Sequence, residues 1–154
     1  MAPPHKSKKV SMAKTKVSVI ILNWNGKKDT IECLGSVYKS KTLSIDLDVY
    51  LVDNDSSDKT LSVVQKKFPQ TKTIANSSNL GFSAGNNIGI KAALGNSADY
   101  IILLNNDTTV HPNTFESLVD NSQKHGFSIA SPKIYFYPGK EFHKSSYKKK
   151  RIFM

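Results

Sequence analysis

Tyr100-Ile101-Ile102-Leu103-Leu104-Asn105-Asn106-Asp107 is a run of five apolar residues that stops abruptly at two amides and a carboxylate. The run reads as a strand buried on both faces, as in the interior of a parallel sheet. In an open α/β sheet, ligands bind outside the carboxyl ends of the strands, so Asn105, Asn106 and Asp107 fall at the binding edge. A lone carboxylate flanked by amides suits a hard cation, Mg²⁺ or Mn²⁺, shared with a diphosphate. Mg²⁺ takes few protein ligands and fills its shell with phosphate oxygens and water. Read alone, the triplet is more simply a helix cap or an Asx turn. Three further stretches reverse that order.

Val17-Ser18-Val19-Ile20-Ile21-Leu22 is β-branched and almost continuously apolar, which predicts a central strand. It ends at the turn Asn23-Trp24-Asn25-Gly26. From Lys27 to Ser40 the residues Ile31, Leu34, Val37 and Tyr38 recur at helical spacing. Leu47–Val52 is a second strand, ending at Asp53-Asn54-Asp55-Ser56-Ser57-Asp58. There Ser56 or Ser57 is expected to cap a helix running through Phe68. Capping and dipole compensation account for Ser56, Ser57 and Asp58. They do not account for Asp53, one step beyond the strand. Thr71–Ala75 is a short third strand, followed by Asn76–Gly89. Within that stretch Gly81 is a turn or close-approach glycine, and Gly85 and Gly89 share a helix face running to about Leu94. Asn86 and Asn87, poor helix formers, are candidate ligands for hydroxyls or phosphates. After Asp107, Pro112 marks a helix through about Lys124. Phe127–Ala130 and Ile134–Tyr137 read as short strands or extended segments.

Strand and helix alternate four times, which predicts a parallel, doubly wound α/β sheet flanked by helices. Three strands end in polar clusters at one edge: Asn23–Asn25, Asp53–Asp55 and Asn105–Asp107. No G-x-G-x-x-G follows the first strand, so the usual dinucleotide fingerprint is absent.

The formal net charge of +10 resembles a nucleic-acid signal until it is located. Residues 1–16 hold five Lys and no acid, and residues 140–154 net +5. Residues 17–139 carry eleven Lys and eleven acids, a net of zero. The expected organisation is a flexible basic leader (1–15), a neutral domain (16–139) and a basic tail (140–154). Tails of this kind are usually solvated; the sharper reading is weak contact with an anionic membrane surface. No specific nucleic-acid partner is expected, because the domain has no aromatic-interleaved basic stripe. The single Cys33 excludes an internal disulfide and a Cys-built zinc site, and fits a reducing, cytoplasmic setting, with the tails peripheral at the cytoplasmic membrane face.

Val17–Asn25 (VSVIILNWN), Val52–Asp58 (VDNDSSD), Asn79–Asn87 (NLGFSAGNN) and Leu103–Thr108 (LLNNDT) resemble, in order and spacing, family 2 glycosyltransferases of the GT-A fold. The nearest resemblance is to the rhamnosyltransferase-like branch, over about residues 16–137. It implies an inverting transfer of sugar from a nucleotide-diphosphate donor, UDP- or dTDP-linked, to a glycan or lipid-linked acceptor, in cell-wall or polysaccharide synthesis. Asp53 matches the acid that hydrogen-bonds the donor base, and Asn54 stands where many members have a second Asp. Asn106 and Asp107 match the D-x-D-type pair, with Asp107 on the divalent metal and an amide in place of the first acid. Asn79, Gly81, Phe82, Gly85 and Asn86 match the loop that wraps the nucleotide sugar, and Asn23 and Asn25 flank the base or ribose.

In the family the general base is an Asp or Glu downstream of the metal motif. After Asp107 the acids are Glu116, Asp120 and Glu141; the first two are expected on a solvent-facing helix and the third in the tail. The chain therefore reads as a donor half, truncated before the acceptor half, with its catalytic base unknown. The alternatives are a module that binds nucleotide sugar without transferring it and, less favoured, a basic-tailed nucleic-acid binder. A sugar nucleotidyltransferase is disfavoured, since its glycine-rich, basic phosphate loop is missing.

Overall fold

A computed structural model describes residues 14–136. Four strands and four helices alternate through them: β1 (Thr15–Asn23), α1 (Lys27–Val37), β2 (Ile45–Asp53), α2 (Thr60–Lys67), β3 (Lys72–Ala75), α3 (Gly81–Gly95), β4 (Tyr100–Asn105) and α4 (Thr114–His125). All three strand pairings are parallel, in the order β3-β2-β1-β4. The parallel, helix-flanked α/β sheet expected from the alternation is therefore present.

The two-residue period of β1 divides the core. Val17, Val19 and Ile21 pack with Cys33, Leu34 and Val37 of α1, Val64 of α2, and Phe115 and Val119 of α4. Ile20 faces the other way and joins Tyr50, Val52 and Ala93 of α3. Burying both faces is why this strand is a nearly continuous apolar run. The path leaves β1 toward β2 and β3, then returns across the other face through α3 to β4. The strand order thus reverses between β1 and β4, and a crevice opens at their carboxyl ends.

Helix α3 sits close to the sheet through its glycines. A Cβ on Gly89 would collide with Ile20 Cγ2 and come within 3.0 Å of Val52 Cγ2; one on Gly85 would come within 2.5 Å of Leu22 Cδ1.

Several expectations are corrected. β4 is an edge strand among the described residues, not one buried on both faces, and Leu103 is 50% exposed. Apolar content reports the environment a strand can enter, not how many neighbours it has. α1 ends at Val37, and Tyr38 stacks on Phe68 with ring centroids 5.6 Å apart. Neither Ser56 nor Ser57 caps α2. The helix starts at Thr60 after Lys59, which is left-handed (φ 64°), and Asp58 accepts the Thr60 N–H at 3.0 Å. The stretch 127–136 forms no strand and leaves Phe127, Ile129, Ile134, Tyr135 and Phe136 exposed. Tyr137, most of the leader and the whole basic tail lie outside the described residues. Among those described, no helix is long and apolar enough to cross a membrane.

Candidate functional site

Asn23 ends β1 fully buried, on the α1 side of the sheet, and it is the hub of the carboxyl edge. Its Nδ2 donates to Asp53 Oδ1 at 2.7 Å and Ser56 Oγ at 2.9 Å. Its Oδ1 accepts from Thr30 Oγ1 at 2.8 Å, Gly26 N at 3.1 Å and Asn106 Nδ2 at 3.2 Å. Both amide protons are used, so only Asn (or Gln) chemistry fits here. The amide joins the ends of β2, β1 and β4 in a row, Asp53–Asn23–Asn106. Gly26 leaves room for it: a Cβ there would collide with Asn106 Nδ2 and come within 3.0 Å of Asn23 Oδ1.

Asp53 is 2% exposed. Besides Asn23, it accepts from Ser56 Oγ at 2.6 Å and Ser56 N at 2.9 Å. A carboxylate has about four acceptor sites, so one remains on Oδ2. Asn25 holds a left-handed backbone (φ 51°) and accepts from Ser57 N at 2.9 Å, which laces the loops after β1 and β2 together.

A second network involves Asn54, which is 1% exposed. Its Nδ2 donates to Asn79 Oδ1 and to Gly81 O, both at 3.1 Å, and its Oδ1 accepts from Asn76 Nδ2 at 2.7 Å. Asn79 Oδ1 also accepts from Gly81 N at 2.9 Å. A carboxylate at 54 could not donate to two oxygens, which explains the amide. Asn86 is buried and donates to Phe82 O within α3 at 2.9 Å, and Gly85 lies against Leu22 and Asn54. Phe82 is 62% exposed.

Asp107 is exposed and makes no hydrogen bond or ion pair with any described residue. It occupies a turn closed by Thr108 N to Asn105 O at 3.2 Å. Among the described residues no group of three or more His, Cys, Asp or Glu could hold a metal. The donor set is one carboxylate with the Oδ1 of Asn106, whose Nδ2 is committed to Asn23 and Thr30. That thin set fits Mg²⁺ or Mn²⁺ sharing a diphosphate and not a cation caged by protein alone.

Cys33 lies beneath this turn. Burial, reinforced by the Asp107 charge and partly offset by the Thr108 N–H, pushes its thiol up to about 12.

The sequence did not single out Trp24, Thr30, Ser56 or Cys33 for the site. Trp24 is 59% exposed, beside the hub. An aromatic between two loop amides was the available signal. Ser56 was legible as the third residue after Asp53, the spacing of a side chain closing on its own backbone. Thr30 and Cys33 carried no signal beyond a helix face. Glu116 lies away from the carboxyl edge: its Oε1 accepts from Ser44 N, just before β2, at 2.9 Å. That bond holds its carboxyl below the usual carboxylate value and weakens it further as a base. Asp120 is exposed on the same helix.

The model of the family described as glycosyl transferase family 2 matches residues 18–153. The chain belongs to glycosyl transferase family 2.

Its fold is shared with solved structures. TarS 1–349 of S. aureus superposes with a TM-score of 0.64 at 24% identity, over 73% of this chain and 33% of that one. The same protein in complex with UDP-GlcNAc gives 0.65 at 24% identity, over 73% and 32%. The mannosyltransferase PcManGT of Pyrobaculum calidifontis, in complex with GDP-Man and Mn²⁺, gives 0.60 at 20% identity, over 70% and 32%. The family 2 sheet described above is thus the GT-A, Rossmann-like arrangement, and the chain spans about a third of the length of these structures. No curated protein matches it.

Proposed function

We propose that this family 2 chain binds a nucleotide-diphosphate sugar at the carboxyl ends of β1, β2 and β4, as the donor-binding part of an inverting glycosyltransferase. The observation that carries this is the Asp53–Asn23–Asn106 row beside Asp107, a carboxylate that no described residue pairs. The ligands named for the structures that share the fold, UDP-GlcNAc, UDP and GDP-Man, support that class of donor.

Asp53 has one acceptor site left for the base. The N3–H of uracil or thymine donates and the N3 of cytosine only accepts, so UDP or dTDP is favoured over CDP. Trp24 offers an exposed face on which the base stacks. Asn25 borders the ribose. Asn79, just before α3, and Gly81, Phe82, Gly85 and Asn86 in its first turns border the sugar. Asp107 and Asn106 would hold Mg²⁺ or Mn²⁺, which when bound offsets charge on the departing diphosphate. The acceptor is a glycan or lipid-linked hydroxyl, met at the cytoplasmic membrane face with the basic termini on anionic lipid.

A general base contributes about 10²–10⁴ in rate, and neither Glu116 nor Asp120 is in position to be one. That favours, as a second reading, a chain that binds donor and transfers little on its own. Calorimetry with UDP, dTDP and CDP, with and without Mn²⁺, tests the proposal. UDP or dTDP binding that Mn²⁺ strengthens, and that Asp107→Ala returns to its metal-free level, is expected. Equal affinities throughout would sink it.

A further inference from the structure

The turn that carries Asp107 is fastened to α1 at three points. Asn106 and Asp107 are its two central residues, and Asn105 O accepts Thr108 N across it. Thr30, Cys33 and Ser36 stand at i, i+3 and i+6 on α1, a spacing that lines one helix face. Each meets a successive part of the turn. Thr30 Oγ1 accepts Asn106 Nδ2 at 3.1 Å. Cys33 Sγ–H donates to Asn105 O at 3.7 Å, the same carbonyl that accepts Thr108 N at 3.2 Å. Ser36 Oγ accepts Val110 N at 3.1 Å while donating to Cys33 O at 2.7 Å.

These contacts do more than fill space. The segment from Asn106 to Val110 has left the sheet, so no strand ladder fixes it. Its backbone groups need other partners, and α1 supplies them through short polar side chains. Beyond β4 there is no further strand among the described residues, so no ladder reaches the turn from that side. The α1 side chains therefore help to set the position of the Asp107 carboxylate.

We propose that Cys33 and Ser36 are positioning residues for the Asp107 turn: they fix where its carboxylate stands, and with it the metal-dependent share of nucleotide affinity, without touching the nucleotide. This rests on the donor-binding reading given above. Thr30 belongs to the same face but also bonds the hub Asn23, so it is not a clean probe. Groups that orient metal ligands from behind typically account for about 10–100-fold in metal affinity.

The test uses the full chain with Cys33→Val, which keeps the site apolar and removes the donor, Cys33→Ser, which restores a donor, Ser36→Ala and Ser36→Thr. UDP affinity is measured by calorimetry with and without Mn²⁺, and amide hydrogen exchange is followed at Thr108 and Val110. Cys33→Val and Ser36→Ala should lower the Mn²⁺-dependent gain about tenfold, leave metal-free affinity within about twofold, and speed exchange at Thr108 and Val110. Cys33→Ser and Ser36→Thr should recover most of the gain. A gain that survives both removals, or affinities with and without metal that fall together, overturns the positioning role while leaving donor binding intact. A wild-type chain with no Mn²⁺ gain overturns the metal part of the donor-binding reading and this proposal with it.

Discussion

Replacing Asn23 by Ala removes the hub of the carboxyl edge and should be among the most costly single changes in the chain. Asn23 is fully buried and its side chain takes part in five hydrogen bonds. The bonds differ in what they leave behind. Ser56 Oγ keeps Asp53, and Thr30 Oγ1 and Asn106 keep each other. The Gly26 N–H loses its acceptor and the Asp53 carboxylate loses a donor. Stranding a neutral donor costs about 1 kcal/mol, and losing a bond to a charged group about 1.5–3 kcal/mol. The sum is about 2.5–4 kcal/mol, a large part of the roughly 5–15 kcal/mol that holds a domain folded. Asn106→Ala strands no buried charge and should cost only about 0.5–1.5 kcal/mol. Urea unfolding followed by far-ultraviolet circular dichroism measures both. Equal losses for the two substitutions, or a loss below about 1 kcal/mol at Asn23, would refute the hub.

Three further outcomes follow from the same geometry. Asn54→Asp sets a carboxylate against Asn79 Oδ1 and Gly81 O in place of a donor, and should cost about 2–3 kcal/mol in urea unfolding; a neutral result would mean the start of α3 does not depend on that amide. Ser18 Oγ is buried with no partner among the described residues, so Ser18→Ala should raise stability by about 1 kcal/mol, and a loss of that size would contradict its isolation. The folded Cys33 thiol holds its proton to about 12, against 9.0 for an unperturbed thiol. The unfolded chain therefore binds fewer protons in that window, and the contribution is complete below pH 9 and lost as pH rises toward 12. Relative to Cys33→Val, wild type should weaken more steeply between pH 9 and pH 11; parallel pH profiles would contradict the burial.

The sequence made the strand ends legible because each apolar run stops at a polar residue, and the ends of parallel strands fall on one edge. Asn23, Asp53 and Asn106 could be named from that rule alone. Their mutual bonding could not, since it depends on register between strands about thirty and eighty residues apart. The assignment of Ser56 and Ser57 to a helix cap was a local reading overruled by tertiary partners: Asp53 and Asn25 capture those hydroxyls, and Asp58 serves the helix start. The edge position of β4 was invisible for the same reason, as hydropathy carries no strand order. Thr30 and Cys33 were hidden because a small polar residue on a helix looks alike whether it faces a turn or solvent.

A cavity of about 440 Å³ lies between α4 and residues 127–132, lined by His111, Asn113, Thr114, Ser117 and Phe127 among others. It shares no residue with the Asn23 network and supplies the competing location for a ligand. Titrating the isotope-labelled chain with UDP and Mg²⁺, and following the side-chain N–H signals by magnetic resonance, separates the two most directly. Binding at the carboxyl edge should shift the Trp24 indole and the Asn23 and Asn106 amides and leave the Asn113 and Asn121 amides unmoved. Shifts confined to Asn113 and Asn121, or none at any concentration, would contradict nucleotide binding at the carboxyl edge.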